Sequence, residues 1–494
     1  MFQEKLKEFE LIFYPKSIAV VGASSDEKKM GAQWVKALIS AGFPGPVYPV
    51  ASGGGTIRGL KIFPSFRLVP GEVDYVVASI PRQSVLDLLD DCVAKKVKAV
   101  QFFTAGFSET GKSQWHGLEE QMMRKARRGG IRIIGPNCLG VYCPESRVSC
   151  GPSPKMGVSG SVGFISQSGG IAQKLVEVGI ARQIDYSKGV SFGNGIDLDA
   201  SDFLQYLAAD SKTMVIGAYL EGTRNGRRLF DTMKEVAKIK PLVVWKGGRT
   251  EVGAQAAMSH TGSLASSPAI WSAMLKQTGA IEVHGLEELT DVLLIFQQLH
   301  YWKGKNVAVI GGLAGGGGGI SVSAGDACME SGLKLPSLCN KTREELTDLL
   351  SEVGSILRNP IDISPAQYRG LSTLSRAIEL VTRDPIIELV LIQEDMDILL
   401  TYFSEEMVQG INDFLIELRS SQNKPLAVVL PPGSAEPKRL DMEQKLLKAS
   451  FPVFPTMERA ARAIVAINEY FDCHPEPEIL RMTGSAGLRA LQVS

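Results

Sequence analysis

Short uncharged segments rich in β-branched residues recur along the chain, and each is followed by a turn of small residues and an amphipathic stretch. The first is S-I-A-V-V-G at Ser17–Gly22, with residues 32–41 as its amphipathic stretch. Continuous apolar runs of this length are typical of strands buried on both faces of a parallel sheet. Parallel strands need helical crossovers, so this alternation predicts a doubly wound α/β protein with a Rossmann-like first unit.

Two joints divide these strand–helix units into three groups. A Pro/Gly/Ser-rich joint covers Ser149–Ser161, and a charged, aromatic joint covers Leu299–Lys305. At 494 residues the chain is long enough for about three domains of ordinary size. We therefore predict four segments, namely a Rossmann-like domain at 1–148, α/β domains at 149–300 and 301–472, and a C-terminal tail at 473–494.

Composition excludes several classes of protein. Lys plus Arg equals Asp plus Glu, with 53 of each, so no excess of positive charge favours nucleic acid or a membrane surface. The charged start M-F-Q-E-K-L-K-E-F-E has no apolar signal core. No apolar run approaches the ~20 residues of a membrane span. We expect a cytoplasmic protein.

Cysteine spacing argues against a metal site. Seven cysteines, an odd number, fit a reducing compartment. Cys138, Cys143 and Cys150 are near one another, but no C-x-x-C pair or nearby histidine completes a set of metal ligands. We expect ordinary thiols in or near a core and no bound metal.

The first domain has small or polar residues after four of its predicted strands. In an open parallel sheet, ligands bind at the carboxyl ends of the strands, so these turns together predict one elongated nucleotide cleft. The residues concerned are Gly22, Ala23, Ser24 and Ser25, then Ser79, Ile80 and Pro81, then Thr104, Ala105 and Gly106, and finally Asn137 and Cys138. The alternative is that they are ordinary turns of an α/β unit. The first turn lacks G-x-G-x-x-G, and no acidic residue follows the second strand near Val50, which disfavours a dinucleotide.

The second domain contains a candidate anion site and a candidate nucleophile. The run Ser166–Gly170 (Ser166, Gln167, Ser168, Gly169, Gly170) joins a strand to a helix start, where hydroxyls and free amides favour an anion. Glu221 follows a later strand, and its carboxylate could hold one imidazole nitrogen and leave the other reactive. His260 lies in the small-residue segment M-S-H-T-G-S-L-A, so its imidazole could be presented to more than one partner. A hydrogen-bonded loop histidine without a chemical role is the alternative.

The third domain begins with a strand and then a run of five glycines, Gly315–Gly319. Consecutive glycines let the backbone approach a ligand closely and can form a nest of amides. A flexible linker is the alternative, but the strand before the run and the helix after it favour the nest. The candidate phosphate-binding glycines are Gly315, Gly316 and Gly317.

Six motifs occur in the order seen in one enzyme family. They are V-V-G-A-S, I-I-G-P-N-C-L-G, I-S-Q-S-G-G, S-F-G-N-G-I-D, Y-L-E-G-T-R-N-G-R and S-H-T-G-S-L-A. The chain resembles the NDP-forming acyl-CoA synthetases, relatives of succinyl-CoA synthetase that are also called ADP-forming acetyl-CoA synthetases. The resemblance implies a Rossmann-like CoA-binding domain followed by two flavodoxin-like, succinyl-CoA synthetase-type α/β domains.

The resemblance also implies a reaction and a role for each candidate residue. Acyl-CoA and phosphate would give an acyl phosphate, a histidine would take the phosphoryl group, and the phosphohistidine would pass it to ADP. His260 matches the phosphorylated histidine and Glu221 matches the carboxylate that holds it. The first domain would bind CoA, Ser166–Gly170 would hold phosphate, and the glycine run would resemble the helix end that faces the phosphohistidine from the third domain.

No ATP-grasp region, the domain that binds ADP or ATP and Mg²⁺ in this family, is recognisable in the sequence. The chain therefore resembles an alpha subunit that needs an ATP-grasp beta subunit, in an α2β2 or similar assembly. Two alternatives are a non-catalytic, CoA-binding regulatory protein of the same fold and a nicotinamide dehydrogenase. His260 and Glu221 argue against the first, and the absent dinucleotide motif argues against the second.

Overall fold

The structure is a computed structural model that describes residues 2–149, 155–255, 267–300, 302–311, 318–350, 356–363, 371–421 and 424–475. His260, Gly315, Gly316 and Gly317 lie outside the described residues, as does Cys150. The chain divides into two compact units, one formed by residues up to Leu289 and one by Thr290–Pro475. The division into four segments predicted above stays a prediction.

The first sheet is parallel throughout, with the strand order β2-β1-β5-β6-β7. Its strands are β1 (Ile18–Val21), β2 (Val47–Val50), β5 (Tyr75–Ala78), β6 (Ala99–Phe102) and β7 (Arg132–Ile134). An antiparallel hairpin of β3 (Thr56–Ile57) and β4 (Leu60–Lys61) lies between β2 and β5 in the chain. An isolated parallel bridge joins Phe63 to Val50 on the outer side of β2. Counted as the third strand, this bridge gives the sheet the order 3-2-1-4-5-6, which confirms the Rossmann-like prediction.

The second sheet has the order β13-β12-β11-β9-β10-β8 and is parallel except at β8. Its strands are β8 (Gly140–Tyr142), β9 (Val162–Ser166), β10 (Tyr186–Ser191), β11 (Val215–Leu220), β12 (Leu242–Lys246) and β13 (Ile281–Val283). The five parallel strands have the flavodoxin-like order 2-1-3-4-5. The edge strand β8 was not predicted, and it pairs antiparallel with β10.

The third sheet lies in the second unit and repeats the flavodoxin-like order, as β15-β16-β14-β17-β18-β19. Its strands are β14 (Val307–Gly311), β15 (Ile356–Leu357), β16 (Ile361–Asp362), β17 (Leu389–Gln393), β18 (Leu426–Val429) and β19 (Val453–Phe454). The short edge pair β15–β16 is antiparallel and the other pairs are parallel. The predicted fold class is thus confirmed in both units.

Helices connect the strands of all three sheets. In the first unit they are α1 (Phe2–Phe13), α2 (Met30–Ala41), α3 (Val85–Ala94), α4 (Ser113–Gly129), α5 (Gly169–Ala181), α6 (Ala200–Ala209), α7 (Gly226–Ile239) and α8 (Pro268–Thr278). Next come α9 (Leu286–Leu299), α10 (Gly318–Glu330), α11 (Asn340–Leu349), α12 (Leu371–Arg383), α13 (Met396–Tyr402), α14 (Glu405–Ser421), α15 (Glu436–Lys448) and α16 (Met457–Cys473). Single 3₁₀ turns occur at Phe66–Leu68, Arg82–Ser84 and Ser108–Thr110. Within the described ranges, every helix is too short or too polar to cross a membrane.

The first two sheets share one hydrophobic core, and α1 contributes to it. The ring of Phe13 stacks on Tyr206 of α6 with a centroid separation of 4.5 Å, and Phe9 meets Phe203 edge-on at 5.5 Å. Such aromatic pairs are worth about 0.5–1.5 kcal/mol beyond the area they bury. Helix α1 thus packs against α6, one of the helices that cover the second sheet.

Two buried lysines share one aspartate below the second sheet. Lys240 Nζ donates to the carbonyl oxygens of Leu207, at 2.8 Å, and Asp210. Lys188 Nζ donates to the Asp210 carboxylate at 3.0 Å. Burial lowers the pKa of Lys240 to about 7; the Asp210 carboxylate opposes this shift and the charge of Lys188 adds to it. Lys240 therefore donates hydrogen bonds to two carbonyl oxygens at the end of α6, and the burial of its charged form is unfavourable.

The pKa of Lys240 predicts a pH-dependent contribution to stability. The pKa of a lysine in the unfolded chain is ~10.4, and the pKa of Lys240 in the folded protein is about 7. Between these two pH values the unfolded state binds more protons than the folded state. The free energy of unfolding therefore rises with pH in this range. Lys240→Met removes this contribution. We expect the unfolding free energy of the wild type, relative to Lys240→Met, to increase from pH 7 towards pH 10 in urea titrations.

The matched control is Lys238→Met in the last turn of α7, two residues before Lys240, because the Lys238 side chain is 50% exposed and pairs with Glu235. Its stability difference from the wild type should stay constant over this range. A constant difference for Lys240→Met as well would show that the Lys240 pKa is not depressed.

Candidate active site

The second sheet brings two predicted site segments side by side. In the order 2-1-3-4-5 the chain moves to opposite sides of the first strand, and the crevice lies between strands 1 and 3. Here those strands are β9 and β11, which pair in parallel with Ser166 opposite Tyr219. The turn Ser166–Gly170 follows β9, and Glu221 follows β11. The candidate anion turn and the candidate carboxylate therefore share the ligand crevice of the sheet.

The turn after β9 is held by its own serines. Ser166 Oγ donates to the carbonyl of Ser168 at 2.7 Å and accepts from the Ser168 amide at 3.2 Å. Ser168 caps α5, since its Oγ accepts from the Ile171 amide. Among the described residues, the amides of Gly169 and Gly170 have no acceptor, as expected for the first turn of a helix. These two amides can receive an anion.

Gln167 connects the turn to the end of β11. Its amide donates to the Tyr219 carbonyl at 3.0 Å. Its side-chain Oε1 accepts from the amides of Glu221 and, at 2.9 Å, Gly222. Gln167 is buried, so its side chain fixes the backbone at Glu221. We predicted Gln167 as a phosphate contact from its place in the turn, and its hydrogen bonds indicate a positioning role.

Glu221 is buried among side chains that sequence reasoning missed. Tyr219, on β11, lies on the same side of the chain as Glu221, two residues later. Burial is the largest cause that raises the pKa of the Tyr219 phenol, and the charge of Glu221 and a hydrogen bond to its side chain raise this pKa further. Burial lowers the pKa of Lys246, and the Glu221 carboxylate opposes this shift. Register could have revealed both residues, because Lys246 is the β12 partner of Leu220 and Tyr219 is two residues before Glu221.

Two tryptophan rings pack beside Tyr219 and Lys246. Trp245 meets Tyr219 edge-on at 4.7 Å, and the ammonium of Lys246 lies 5.3 Å from the centroid of Trp271. Lys246 Nζ also donates to the Gly247 carbonyl. A phenol, an ammonium and a carboxylate are thus held in a partly desolvated cluster, where electrostatic interactions are stronger than in water.

The candidate cleft residues of the first sheet lie where predicted, after the adjacent strands β1, β5, β6 and β7. The turn after β1 is tightly packed: Gly22 has φ +93°, and a Cβ there would lie 2.0 Å from the Ser79 carbonyl oxygen. The amides of Gly22 and Ala23 both donate to the Val50 carbonyl, at 2.9 and 3.0 Å. These residues therefore shape the cleft, and their amides are already occupied.

The turns after β5, β6 and β7 are linked to one another. Thr104 Oγ1 donates to the Ile80 carbonyl at 2.6 Å, and the Asn137 amide donates to the Thr104 carbonyl at 3.0 Å. Arg82 donates to the Gly106 carbonyl at 2.6 Å and stacks on Trp115 at 3.6 Å. Cys138, the last of these candidate residues, is 3% exposed. The structure brings these candidates together, and their ligand remains a proposal.

The third sheet has a buried carboxyl group at its carboxyl edge. Glu394 directly follows β17, and among the described residues neither of its carboxylate oxygens has a hydrogen-bond partner. Burial raises the pKa of Glu394 well above its ordinary range. β14 lies before the glycine run, and α10 begins within the run at Gly318, so the helix includes the last two glycines. In the described part of the chain, no group of three or more His, Cys, Asp or Glu side chains could hold a metal ion.

Comparison with known proteins identifies the family. Residues 16–144 match a CoA binding domain, and residues 159–296 match a succinyl-CoA ligase-like flavodoxin domain. The alpha subunit of ADP-forming acetate–CoA ligase I from Pyrococcus furiosus is 34% identical over 473 residues, covering 93% of this chain and 97% of the relative. The chain belongs to the family of ADP-forming acyl-CoA synthetases.

A solved structure and a longer relative agree with this membership. A dinucleotide-forming acetyl-coenzyme A synthetase 1 from Ca. Korarchaeum cryptofilum, solved with phosphate and ADP, has a TM-score of 0.80 and 32% identity over 96% of this chain and 99% of its own. The ADP-forming acetate–CoA ligase I of Archaeoglobus fulgidus is 34% identical over 93% of this chain, which spans 63% of that relative. The resemblance of this chain to the ADP-forming acyl-CoA synthetases is confirmed.

The hydrogen bonds of Gln167 predict that this residue stabilises the site. Gln167→Leu leaves the amides of Glu221 and Gly222 without their acceptor, at about 1–3 kcal/mol for each buried donor. We expect a midpoint of thermal unfolding several degrees below that of the wild type, measured by calorimetry. Gln173→Leu is the control, because Gln173 is exposed on α5; equal midpoints for the two variants would contradict the prediction.

Proposed function

We propose that this chain is the alpha subunit of an ADP-forming acyl-CoA synthetase. It interconverts acyl-CoA, ADP and phosphate with a carboxylic acid, ATP and CoA. The observation that carries the proposal is the match to nearly the full length of an alpha subunit together with the crevice that unites the α5 amides and Glu221. A helix start can hold an anionic phosphate, and a buried carboxylate can orient an imidazole through one of its nitrogens.

The first step forms an acyl phosphate. An oxygen of inorganic phosphate attacks the thioester carbonyl, the carbon–sulfur bond breaks, and the CoA thiolate leaves with the proton that phosphate loses. The amides of Gly169 and Gly170 would hold the phosphate, because a helix start stabilises an anion without a charged side chain. The turns after β1, β5, β6 and β7 would hold CoA.

The second step moves the phosphoryl group to His260. An imidazole nitrogen of His260 attacks phosphorus, the bond to the acyl oxygen breaks, and the carboxylate product leaves. Glu221 would accept a hydrogen bond from the other imidazole nitrogen and so select the reactive tautomer. Tyr219 and Lys246 would hold the Glu221 carboxylate in place. The amides of Gly315, Gly316 and Gly317 would receive the phosphohistidine in the third domain.

The last step needs a partner. A β-phosphate oxygen of ADP attacks the phosphohistidine, the phosphorus–nitrogen bond breaks, and ATP and free imidazole result. The Pyrococcus relative is named an alpha subunit, which supports a partner subunit, and this chain spans 63% of the longer Archaeoglobus relative. We propose that an ATP-grasp beta subunit supplies it, with ADP or ATP and Mg²⁺, in an α2β2 or similar complex.

The proposal predicts a phosphohistidine on this chain. Mixed with its beta subunit and γ-labelled ATP, the wild-type chain should gain acid-labile, base-stable phosphate. His260→Ala should abolish the label, and His284→Ala, which changes an exposed histidine bonded to Arg249, should retain it. Label that persists in His260→Ala would contradict the assignment. A chain that binds CoA but is never labelled would be the non-catalytic regulator.

Glu221→Gln tests the carboxylate separately. The variant keeps the size of the side chain and removes the charge that stabilises the imidazole, so we expect labelling of His260 to slow by roughly 100-fold or more. CoA affinity, measured by calorimetry, should stay within twofold of the wild type, because Glu221 lies outside the first sheet. Unchanged labelling would remove Glu221 from the mechanism.

A further inference from the structure

A buried carboxylate joins the first sheet to the loops of the second. Glu119, on α4, is 3% exposed. Its Oε1 accepts from the hydroxyl of Ser108 at 2.7 Å and from the side-chain amide of Asn194 at 3.0 Å. Its Oε2 accepts from Arg224 at 3.0 Å. The Ser108 amide adds a fourth donor at 3.3 Å. A buried carboxylate with this many donors holds all of them in one geometry.

A second carboxylate extends the set to the predicted CoA turn. Glu109 accepts from the amides of Gly106 and, at 3.0 Å, Phe107, and its Oε2 also accepts from Asn194 at 2.7 Å. Asn194 thus donates to both carboxylates. We call Ser108, Glu109, Glu119, Asn194 and Arg224 the junction network.

Each end of the junction network belongs to a different part of the proposed site. Glu109 holds the turn after β6, which contains Gly106. Asn194 lies in the loop after β10, and its amide donates to the Pro136 carbonyl, next to Asn137, at 3.0 Å. Arg224 follows β11 and lies three residues after Glu221. The network therefore connects the cleft of the first sheet to the strand end that presents Glu221.

The backbone around Asn194 shows how closely these parts meet. Gly193 has φ +52°, and a Cβ there would lie 2.2 Å from the Asn137 carbonyl oxygen. Asp197, later in the same loop, accepts from Arg132 at 2.8 and 3.1 Å and from the Ile133 amide at 2.9 Å. The loop after β10 is thus held against the first sheet at Asn194 and at Asp197. Asn194 also binds Glu109, so the junction network fixes the turn at Gly106 relative to this loop.

We propose that Glu119 is a positioning residue for the acyl-transfer half of the reaction. It fixes the turn that holds CoA relative to the crevice that holds phosphate and Glu221. This inference rests on the proposed function and adds a residue to it. The transfer between thioester and phosphate needs both clefts in register, whereas transfer between His260 and nucleotide does not use the CoA cleft. Loss of Glu119 should therefore affect one half-reaction and spare the other.

The test uses the complex of this chain with its beta subunit. One assay follows labelling of His260 by γ-labelled ATP. The other follows acyl-CoA formation from acetyl phosphate and CoA, in which the CoA sulfur bonds to the acyl carbon, the carbon–oxygen bond to phosphate breaks, and phosphate takes the thiol proton. For Glu119→Gln we expect acyl transfer to fall by roughly 10- to 100-fold, as small misplacements of reacting groups do, and labelling to stay within twofold.

Three further variants make the result specific. Glu120→Gln is the matched control, since its side chain is 72% exposed and it pairs with Arg124 at 3.6 Å; both assays should match the wild type. Arg224→Met should lower acyl transfer alone, because it removes the charged partner of Glu119. Arg224→Lys should restore part of it. The Arg224 side chain is 51% exposed, so these two variants test the inference even where Glu119→Gln does not fold.

Equal losses in both half-reactions for Glu119→Gln and Arg224→Met would overturn the inference and leave a purely structural role. Unchanged acyl transfer in both variants would also overturn it. Failure of the proposed function is distinguishable, because the wild-type complex itself would then lack the phosphohistidine or acyl transfer.

Discussion

Parallel strands end at one edge of their sheet, and this constraint decides where chemistry is available in the molecule. In the second sheet, β9 and β11 lie side by side although α5, β10 and α6 separate them in the chain. Their carboxyl ends therefore bring the start of α5 next to Glu221. No interaction between side chains is needed to create this proximity, which follows from strand order alone. Side chains then refine it.

Hydrogen bonds convert that proximity into defined geometry. Gln167 accepts a hydrogen bond from the backbone amide of Glu221. The junction network holds the loop after Glu221, because Glu119 accepts from Arg224. Both carry buried amide or carboxylate groups whose loss would leave unsatisfied partners, so the geometry resists small displacements. Glu221 is thus fixed from one side by the anion turn and from the other by the CoA-binding half.

The sequence predicted the order of elements well and the side-chain partners poorly. The run S-I-A-V-V-G marks its strand because a strand covered on both faces must be continuously apolar, and the observed strand Ile18–Val21 is one residue shorter at each end than the predicted Ser17–Gly22. Edge strand β8 is too short for such a signal. Gln167, Glu119 and Asn194 look like ordinary polar residues, since their partners lie up to 105 positions away and depend on how the layers meet. The roles of His260 and Gly315–Gly317 stay predictions.

Strand β8 gives the two halves of the first unit a shared edge. Gly140–Tyr142 follows the last turn of the proposed CoA cleft in the chain but pairs with β10 of the second sheet. A cut after β8 would leave an unpaired strand on the first half and expose the hydrogen-bonding edge of β10, whereas a cut before β8 keeps this strand pair within the second half. Recombination between relatives that exchanges the first half must therefore join the two halves before this strand, so β8 is inherited with the second sheet although it follows the first sheet directly in the chain.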